Sequence, residues 1–190
     1  MIPMELWTVD DCFDSELVKE AESSFPPINW NHWIAYGSTD QRKLACPYWH
    51  CFPPAIWKLM NRLLRIDVAA HAQADAGLWG AGINRMDRGD YVKPHLDASH
   101  HRITLQKRKF TGVLFLNSQW SDDWGGLLQF KGNSVTPKFN RLVIFENEDY
   151  ARHWVTEVNC PENECRKTLS VFWYDKNPSA TISRKKAVFD

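Results

Sequence analysis

The part of the sequence that most restricts the fold is a series of seven short segments, between Trp79 and Asp175, in which apolar and polar residues alternate. The segments read WGAGINRM, YVKPHLD, FTGVLFLN, GGLLQFKG, RLVIFEN, HWVTEV and TLSVFWYD. A period of two is typical of β-strands, and the Gly, Asn and Asp residues between the segments favour turns. Short strands at such close spacing predict antiparallel sheets, as a sandwich or a barrel-like jelly roll, with the helices packed outside.

The N-terminal part of the chain has a different pattern, which predicts helices. Capping acids at the start and prolines after the end make the segment from Asp10 to about Ser24 typical of a short helix. A longer helix is expected from Pro53 to about His71, because its apolar residues recur at steps of three and four. Between the two helices, residues 29–43 are rich in Trp and too irregular to assign.

Length and composition are those of one globular domain. The chain has 190 residues, of which 44% are hydrophobic, and this is enough for a single sizeable core. We therefore predict one domain over 1–190. It would comprise a helical or irregular N-terminal support over 1–78, a jelly-roll core over 79–178, and a solvated or frayed tail over 179–190.

Charge and cysteine content bear on the partners and the compartment. The 23 Lys and Arg residues equal the 23 Asp and Glu residues in number, so we expect neither nucleic acid nor a membrane as a partner. The N-terminus does not resemble a secretory signal and no apolar stretch approaches a membrane span, which favours a cytoplasmic location. Cys46 and Cys51 have the same spacing as Cys160 and Cys165, so a four-thiolate zinc site is conceivable. Reduced, partly buried thiols are the simpler interpretation.

The segment GDYVKPHLD contains a candidate metal-binding pair, His95 and Asp97. Residues two apart in a strand point to the same face, so both side chains can enter one cavity. The best candidate for a third ligand is His153, which lies in another strand-like segment, ARHWVTEV. Two His and one carboxylate on one face of an octahedron, with open positions, are characteristic of non-haem Fe(II) oxygenases. The open positions can accept a chelating cosubstrate and dioxygen.

A cosubstrate such as 2-oxoglutarate also needs a cation for its far carboxylate, and Arg166 fits this role. Strand alternation sends Arg166, Thr168 and Ser170 to one face, where a guanidinium and two hydroxyls can hold a carboxylate. Two alternatives stay open: Arg166 is a surface residue, or the register is shifted by one and Lys167 is the anchor.

Five blocks then occur in order along the chain: GDYVKPHLD, FTGVLFLNSQW followed by WGGLLQF, PKFNRLVIFEN, His153, and RKTLSVFWYD. In this order they resemble the 2-oxoglutarate- and Fe(II)-dependent dioxygenases of the prolyl hydroxylase type, that is, the hypoxia-sensing prolyl hydroxylases and their bacterial and phage relatives. The resemblance covers about half of the chain, from Ile83 to Asp175.

The resemblance implies a mainly β fold with flanking helices, the cupin-like double-stranded β-helix. It implies Fe(II) held by His95, Asp97 and His153, 2-oxoglutarate anchored by Arg166, and O2 as the second cosubstrate. Two positions depart from the family. Phe115 stands where the hypoxia-sensing enzymes have a tyrosine that hydrogen-bonds 2-oxoglutarate, so Thr168 or Ser170 is expected to replace it. The strand before the metal motif offers Asn84 and Met86 instead of a tyrosine.

The expected activity is hydroxylation of an unactivated C–H bond, with release of succinate and CO2. By resemblance the substrate is a prolyl residue of a protein or peptide. The alternatives are a small molecule, either a free amino acid or a sugar-linked metabolite, and a non-catalytic metal-binding jelly roll. Tyr91 and Arg108 are candidate substrate contacts, the latter for an anionic substrate. His100 and His101 are expected on a mobile loop, and the sequence does not indicate an oligomeric state.

Overall fold

The computed structural model describes residues 6–179, 184 and 186–190, in which β-strands are the dominant element. The helices are α1 (Ser15–Ser23) and α2 (Pro54–Leu63), and single turns of 3-10 helix lie at Trp49–Cys51 and Asp122–Trp124. The strands are β1 (Leu6–Val9), β2 (Ile34–Gly37), β3 (Gln41–Cys46), β4 (Ala72–Ala74), β5 (Gly82–Met86), β6 (Tyr91–Leu96), β7 (Gln106–Phe115), β8 (Leu128–Phe130), β9 (Asn133–Val135), β10 (Arg141–Glu146), β11 (His153–Val155), β12 (Arg166–Pro178) and β13 (Val188–Phe189). The prediction of a mainly β protein with flanking helices is confirmed.

Both helices are shorter than the sequence predicted. Asp14, not Asp10, caps α1, because its side chain accepts a hydrogen bond from the backbone N of Leu17 at 3.0 Å. The helix α2 ends at Leu63, and the chain leaves it through tighter three-residue turns at Arg65 and Ile66. Val68 still packs against the core, which accounts for the continuing apolar period, although it is not helical.

The strands of the described residues form one antiparallel sheet, with the order β1-β10-β7-β12-β5-β3-β6-β11-β8-β9 along its main path. Phe145 on β10 and Leu128 on β8 line the same cavity. In a flat sheet seven strand spacings would separate them by about 34 Å. The sheet must therefore curl around this cavity, as a jelly roll does.

Alternating residues of the central strands face two different environments. Leu114 of β7 and Ile144 of β10 belong to the large core that α1 and α2 cover from outside. Their neighbours Phe115 and Phe145 belong to a second core on the cavity side of the sheet. This alternation places the side chains that matter for function inside the curled sheet, and the helices behind it.

Two regions that the sequence left unassigned or described as loose are ordered parts of the sheet. The Trp-rich stretch contains the β2–β3 hairpin, in which Tyr36 lies opposite Lys43. The described part of the C-terminal tail was expected to be solvated or frayed, but β13 pairs with β6, and the ring of Phe189 stacks on that of His95 at 5.0 Å. The N-terminal support also contributes β1 and β4 to the sheet. No helix within 6–179, 184 and 186–190 has the length and apolar character that crossing a membrane requires.

Candidate active site

Three potential metal ligands meet on the neighbouring strands β6 and β11. His95 lies on β6, and Asp97 is the first residue after the end of this strand. His153 begins β11, where it pairs with His95. Nε2 of His95 lies 3.7 Å from Oδ1 of Asp97, and Nε2 of His153 lies 4.0 Å from Oδ2 of the same carboxylate. One ligand atom of each residue lies within 4.8 Å of the other two, a spacing at which they can surround one metal ion.

The backbone determines which nitrogen each imidazole presents to this site. Nδ1 of His95 lies 2.9 Å from the carbonyl oxygen of Lys93, and Nδ1 of His153 lies 2.9 Å from that of Ala151. Because a carbonyl oxygen can only accept, both Nδ1 atoms carry the proton and both Nε2 atoms keep a lone pair for a metal. Burial lowers the pKa of His153 to about 4, so its ring is neutral near pH 7, as metal binding requires.

Asp97 is held in its charged form by two residues of β7. Its Oδ2 lies 3.2 Å from Nη1 of Arg108 and accepts a hydrogen bond from Oγ1 of Thr111 at 3.1 Å. Burial alone would raise the pKa of Asp97, but Arg108 and the two imidazoles hold it well below its usual value. Oδ1 receives no hydrogen bond from these two residues and is the oxygen available to a metal.

Arg166, at the start of β12, lines the same cavity and is 4% exposed. Its Nε donates to the carbonyl of Gly126 at 2.8 Å, and its guanidinium lies 4.9 Å from the ring centroid of Phe115. Burial lowers the pKa of Arg166 to about 9, which leaves it charged at pH 7. No carboxylate of the described residues pairs with it. A buried cation without an acidic partner is costly, so the site fits a ligand that brings a carboxylate.

Gly126 makes the close approach of Arg166 to the backbone feasible. Its φ is +66°, and a Cβ at this position would lie 3.0 Å from Cδ of Arg166 and 3.1 Å from Cζ2 of Trp120. A larger residue would therefore be strained and would displace the guanidinium.

The expected alternation along β12 is observed. Thr168 and Ser170 line the cavity with Arg166, and Ser170 accepts a hydrogen bond from Nδ2 of Asn84 at 3.0 Å. Lys167 points away from this face and lies 3.5 Å from Oε1 of Glu22 on α1. The structure thus excludes a surface position for Arg166 and does not support Lys167 as the anchor.

The cavity has a volume of about 150 Å³, comparable to one that admits benzene, so it accepts a small organic molecule. Its wall includes a residue that the sequence did not reveal, Lys43 on β3. Burial lowers the pKa of Lys43, and the nearby Arg166 lowers it further while Asp97 opposes the shift. The sequence likewise did not indicate that Thr111 lines the cavity or that Arg108 contacts Asp97. A lysine or threonine in an alternating strand carries no signal of the cavity it faces.

Three sets of neighbouring residues that the sequence singled out lie outside the cavity lining. Arg108 does not extend toward a substrate, because it is 5% exposed, pairs with Asp97 and stacks 3.5 Å from the Phe172 ring centroid. Tyr91 lies outside the cavity and donates to the carbonyl of Thr39 at 3.2 Å. His100 and His101 are both 7% exposed, and their Nδ1 atoms bond within the local turn, so both side chains are packed into the protein.

The cysteines do not form a comparable cluster. Cys46, Cys160 and Cys165 are buried, Cys12 and Cys51 are half-buried, and all five are free thiols. Within the part of the chain that the structure describes, the His95–Asp97–His153 group brings three potential ligands together, and no group containing a cysteine does so.

Comparison with known proteins agrees with this donor set. The family model of the 2OG-Fe(II) oxygenase superfamily matches residues 81–175, which is half of the chain and contains all three candidate ligands and Arg166. A curated prolyl 3-hydroxylase of Xenopus laevis is 31% identical over 85 residues, covering 39% of this chain. The chain spans 16% of the length of that relative.

Solved structures resemble nearly the whole chain. A prolyl hydroxylase of Trichoplax adhaerens, in complex with a hypoxia-inducible factor peptide fragment, has a TM-score of 0.68 at 15% identity, covering 92% of this chain and 85% of the other. A Pseudomonas putida prolyl-4-hydroxylase has a TM-score of 0.66 at 17% identity, covering 92% and 94%. A viral collagen prolyl hydroxylase of Paramecium bursaria Chlorella virus-1 has a TM-score of 0.60 at 11% identity, covering 91% and 97%.

These likenesses confirm the double-stranded β-helix fold. The matched family model adds the chemistry, and the residues present fit its metal and its cosubstrate. Two imidazoles and a carboxylate converge beside a buried guanidinium that has no acidic partner among the described residues. The chain belongs to the 2-oxoglutarate- and Fe(II)-dependent oxygenase superfamily, whose enzymes use Fe(II), 2-oxoglutarate and O2.

Proposed function

We propose that this oxygenase hydroxylates an unactivated C–H bond of a prolyl residue, converting 2-oxoglutarate to succinate and CO2. The observation that carries the catalytic part is Arg166, a buried guanidinium with no acidic partner among the described residues, in the same cavity as the His95–Asp97–His153 group. A metal site that only stabilised the fold would have no use for such a cation.

In this proposal Fe(II) would be held by Nε2 of His95, Oδ1 of Asp97 and Nε2 of His153. The hydrogen bonds from Nδ1 to the backbone keep both imidazoles in the required tautomer. Arg108 and Thr111 hold Oδ2 of Asp97, so the carboxylate cannot rotate freely and presents Oδ1 to the metal.

Arg166 binds the far carboxylate of 2-oxoglutarate, and the hydroxyls of Thr168 and Ser170 are near enough along β12 to add hydrogen bonds. The bound metal supplies the activation of O2 that oxidises the substrate, coupled to decarboxylation of 2-oxoglutarate. The apolar wall of the cavity, with Phe145, Leu128 and Val113, excludes water from the reacting groups.

The prolyl substrate is supported by the relatives. The curated relative is a prolyl 3-hydroxylase, and the Trichoplax enzyme was solved with a peptide fragment. A protein or peptide substrate is therefore our first choice, and a free amino acid is the second, favoured by the cation that Lys43 adds to the cavity. The cytoplasmic location and the single-domain boundaries stay predictions.

The test is Fe(II)-dependent conversion of 2-oxoglutarate to succinate by the purified protein. Mass spectrometry of prolyl peptides and of amino acids incubated with it would then detect addition of one oxygen. We expect succinate formation by the native protein and none by His153→Ala, which lacks one of the three ligands. Lys167→Met is the matched control, because this residue faces α1 instead of the cavity. Equal succinate formation by His153→Ala, or no change in the absorption of the anaerobic Fe(II) protein on adding 2-oxoglutarate, would refute the proposal.

A further inference from the structure

Lys43 is a second cation in the cavity wall, and its position follows from the sheet. On one side, β3 pairs with β2, where Tyr36 lies opposite Lys43. On the other side, β3 pairs with β5, where Ala45 lies opposite Asn84, another cavity residue. Residues two apart in a strand share a face, so Lys43 and Ala45 both face the cavity side. The lysine thus belongs to the inner surface of the curled sheet, unlike its neighbour Arg42.

The ammonium group of Lys43 lacks an acidic partner. Its Nζ lies 5.5 Å from the ring centroid of Tyr36, and it makes no ion pair with any residue in 6–179, 184 or 186–190. Nearby cations on the outer surface do have partners. Arg42 lies 3.8 Å from Asp90, and Lys93 on β6 lies 3.8 Å from Asp40. The free ammonium is therefore a feature of the cavity wall and not of this edge of the sheet in general.

The acidic residue of the cavity wall is engaged elsewhere, which leaves Lys43 available to an anion that a ligand brings. Asp97 is the acidic residue among the described cavity residues, and it is already engaged by Arg108. In the proposed function, one carboxylate of 2-oxoglutarate goes to Arg166 and the keto acid end goes to the metal. Lys43, which is half-buried, then remains without an acidic partner among the described residues, and an anion beside it would gain a charge-assisted contact.

The surroundings of Lys43 favour the primary substrate over 2-oxoglutarate as the source of this anion. Arg166 is 4% exposed, whereas Tyr36, the ring beside Lys43, is 38% exposed. Lys43 is itself half-buried and thus lies nearer to solvent than Arg166, toward the mouth of the cavity. The ring of Tyr36 lies beside the ammonium, so the approach to Lys43 is partly apolar.

We propose, resting on the proposed function, that Lys43 binds a carboxylate of the primary substrate at the mouth of the cavity, so that the enzyme selects proline or a prolyl residue with an adjacent carboxylate. The carboxylate can be the α-carboxylate of proline or of a C-terminal prolyl residue, or an acidic side chain next to an internal proline. Lys43 contributes to substrate selection and is not part of the iron or 2-oxoglutarate site.

The test measures binding, so it does not depend on turnover. Zn(II), which has no redox chemistry, replaces Fe(II), 2-oxoglutarate is added, and calorimetry gives the affinity for matched ligand pairs. The pairs are L-proline and L-prolinamide, N-acetyl-Ala-Pro as the acid and as the amide, and a peptide with Asp or Asn beside an internal proline. We expect the native protein to prefer the acid of at least one pair by about tenfold or more, and the preferred pair identifies the source of the carboxylate.

The variants assign the preference to Lys43. Lys43→Met should bind acid and amide alike, and Lys43→Arg should keep part of the preference because it keeps the charge. Arg42→Met is the control, because it removes the neighbouring cation on the outer surface of β3, and it should behave as the native protein. Equal affinity of the native protein for both members of every pair, or an unchanged preference in Lys43→Met, would overturn the proposal.

A measurement of 2-oxoglutarate binding separates this proposal from the proposed function. If Lys43→Met loses about tenfold in affinity for 2-oxoglutarate and keeps its acid preference, Lys43 serves the cosubstrate and the inference is wrong. If the native protein does not bind 2-oxoglutarate at all, the proposed function fails. Normal 2-oxoglutarate binding without acid preference leaves the proposed function intact and refutes only the role of Lys43.

Discussion

Replacing Arg166 with methionine should weaken 2-oxoglutarate binding severely. The variant keeps an unbranched side chain but removes the guanidinium that faces the cavity. Two charge-assisted hydrogen bonds to a carboxylate contribute about 3 to 6 kcal/mol together. Their loss should raise the dissociation constant of 2-oxoglutarate at least about a hundredfold.

The same substitution should not destabilise the ligand-free protein. Burial lowers the pKa of Arg166 from 12.5 to about 9, which corresponds to roughly 5 kcal/mol of cost for the charged form. Methionine removes this cost but leaves the Gly126 carbonyl without its 2.8 Å hydrogen bond, a loss of about 1 to 3 kcal/mol. The difference favours the variant by roughly 2 to 4 kcal/mol, or about 4 to 16 °C in melting temperature for a chain of this size.

Arg166→Met should therefore weaken 2-oxoglutarate binding without lowering the stability of the ligand-free protein, and one experiment measures both quantities. Thermal unfolding of the Zn(II)-loaded protein, with and without 2-oxoglutarate, gives the intrinsic stability and the stabilisation by ligand. Arg166→Met should melt at an equal or higher temperature without ligand and gain nothing from 2-oxoglutarate. Lys167→Met is the control, since it removes a cation one residue away that faces Glu22. Normal stabilisation of Arg166→Met by 2-oxoglutarate would refute the assignment of the anchor.

Three further predictions concern the metal ligands and their support. In the metal-free protein, the pKa of His153 is about 4 in the folded state and 6.5 in the unfolded state. As the pH falls through this interval, the unfolded chain takes up the proton first, and the folded state loses roughly 3 kcal/mol of stability relative to it. Urea unfolding over that range measures the loss, and His153→Gln should lack it. Thr111→Val removes a hydrogen bond to Asp97 and should lower Zn(II) affinity about tenfold by calorimetry, whereas Thr111→Ser should not. Gly126→Ala places a Cβ 3.0 Å from Cδ of Arg166 at a positive φ, so it should weaken 2-oxoglutarate binding and lower the melting temperature. Unchanged values for both would contradict that geometry.

The shared face of His95 and Asp97, and that of Arg166 and Thr168, could be predicted because strand alternation is a local property. His95 and Asp97 share a face whatever pairs with β6, and the same holds for Arg166 and Thr168 on β12. The meeting of His95 with His153 required one further assumption, that two strands distant in sequence are neighbours. The ordered resemblance to known oxygenases supplied it, and the register of β6 with β11 agrees.

Features that depend on pairing between distant strands could not be predicted. Nothing local distinguishes Lys43 from Arg42, and only the pairing of β3 with β5 brings the lysine onto the cavity wall. The tail is similar: Val188 and Phe189 form a strand only because the edge of β6 is available to them. Isolated strands of two residues have no stability of their own, so their sequences carry no recognisable period.

Arg108 shows why the chemical type of a residue alone does not give its role. Its position before FTGVLFLN suggested contact with an anionic substrate, and the anion it contacts is the protein's own Asp97. The strand β7 begins at Gln106, so Arg108 is already inside the sheet and its side chain lies over the ring of Phe172. Arg166 and Lys43 line the cavity, whereas Arg108 is taken up by its ion pair with Asp97. Arg108 has Asp97, Arg166 is assigned to 2-oxoglutarate, and Lys43 is left for the substrate, so substrate charge should be tested before substrate sequence.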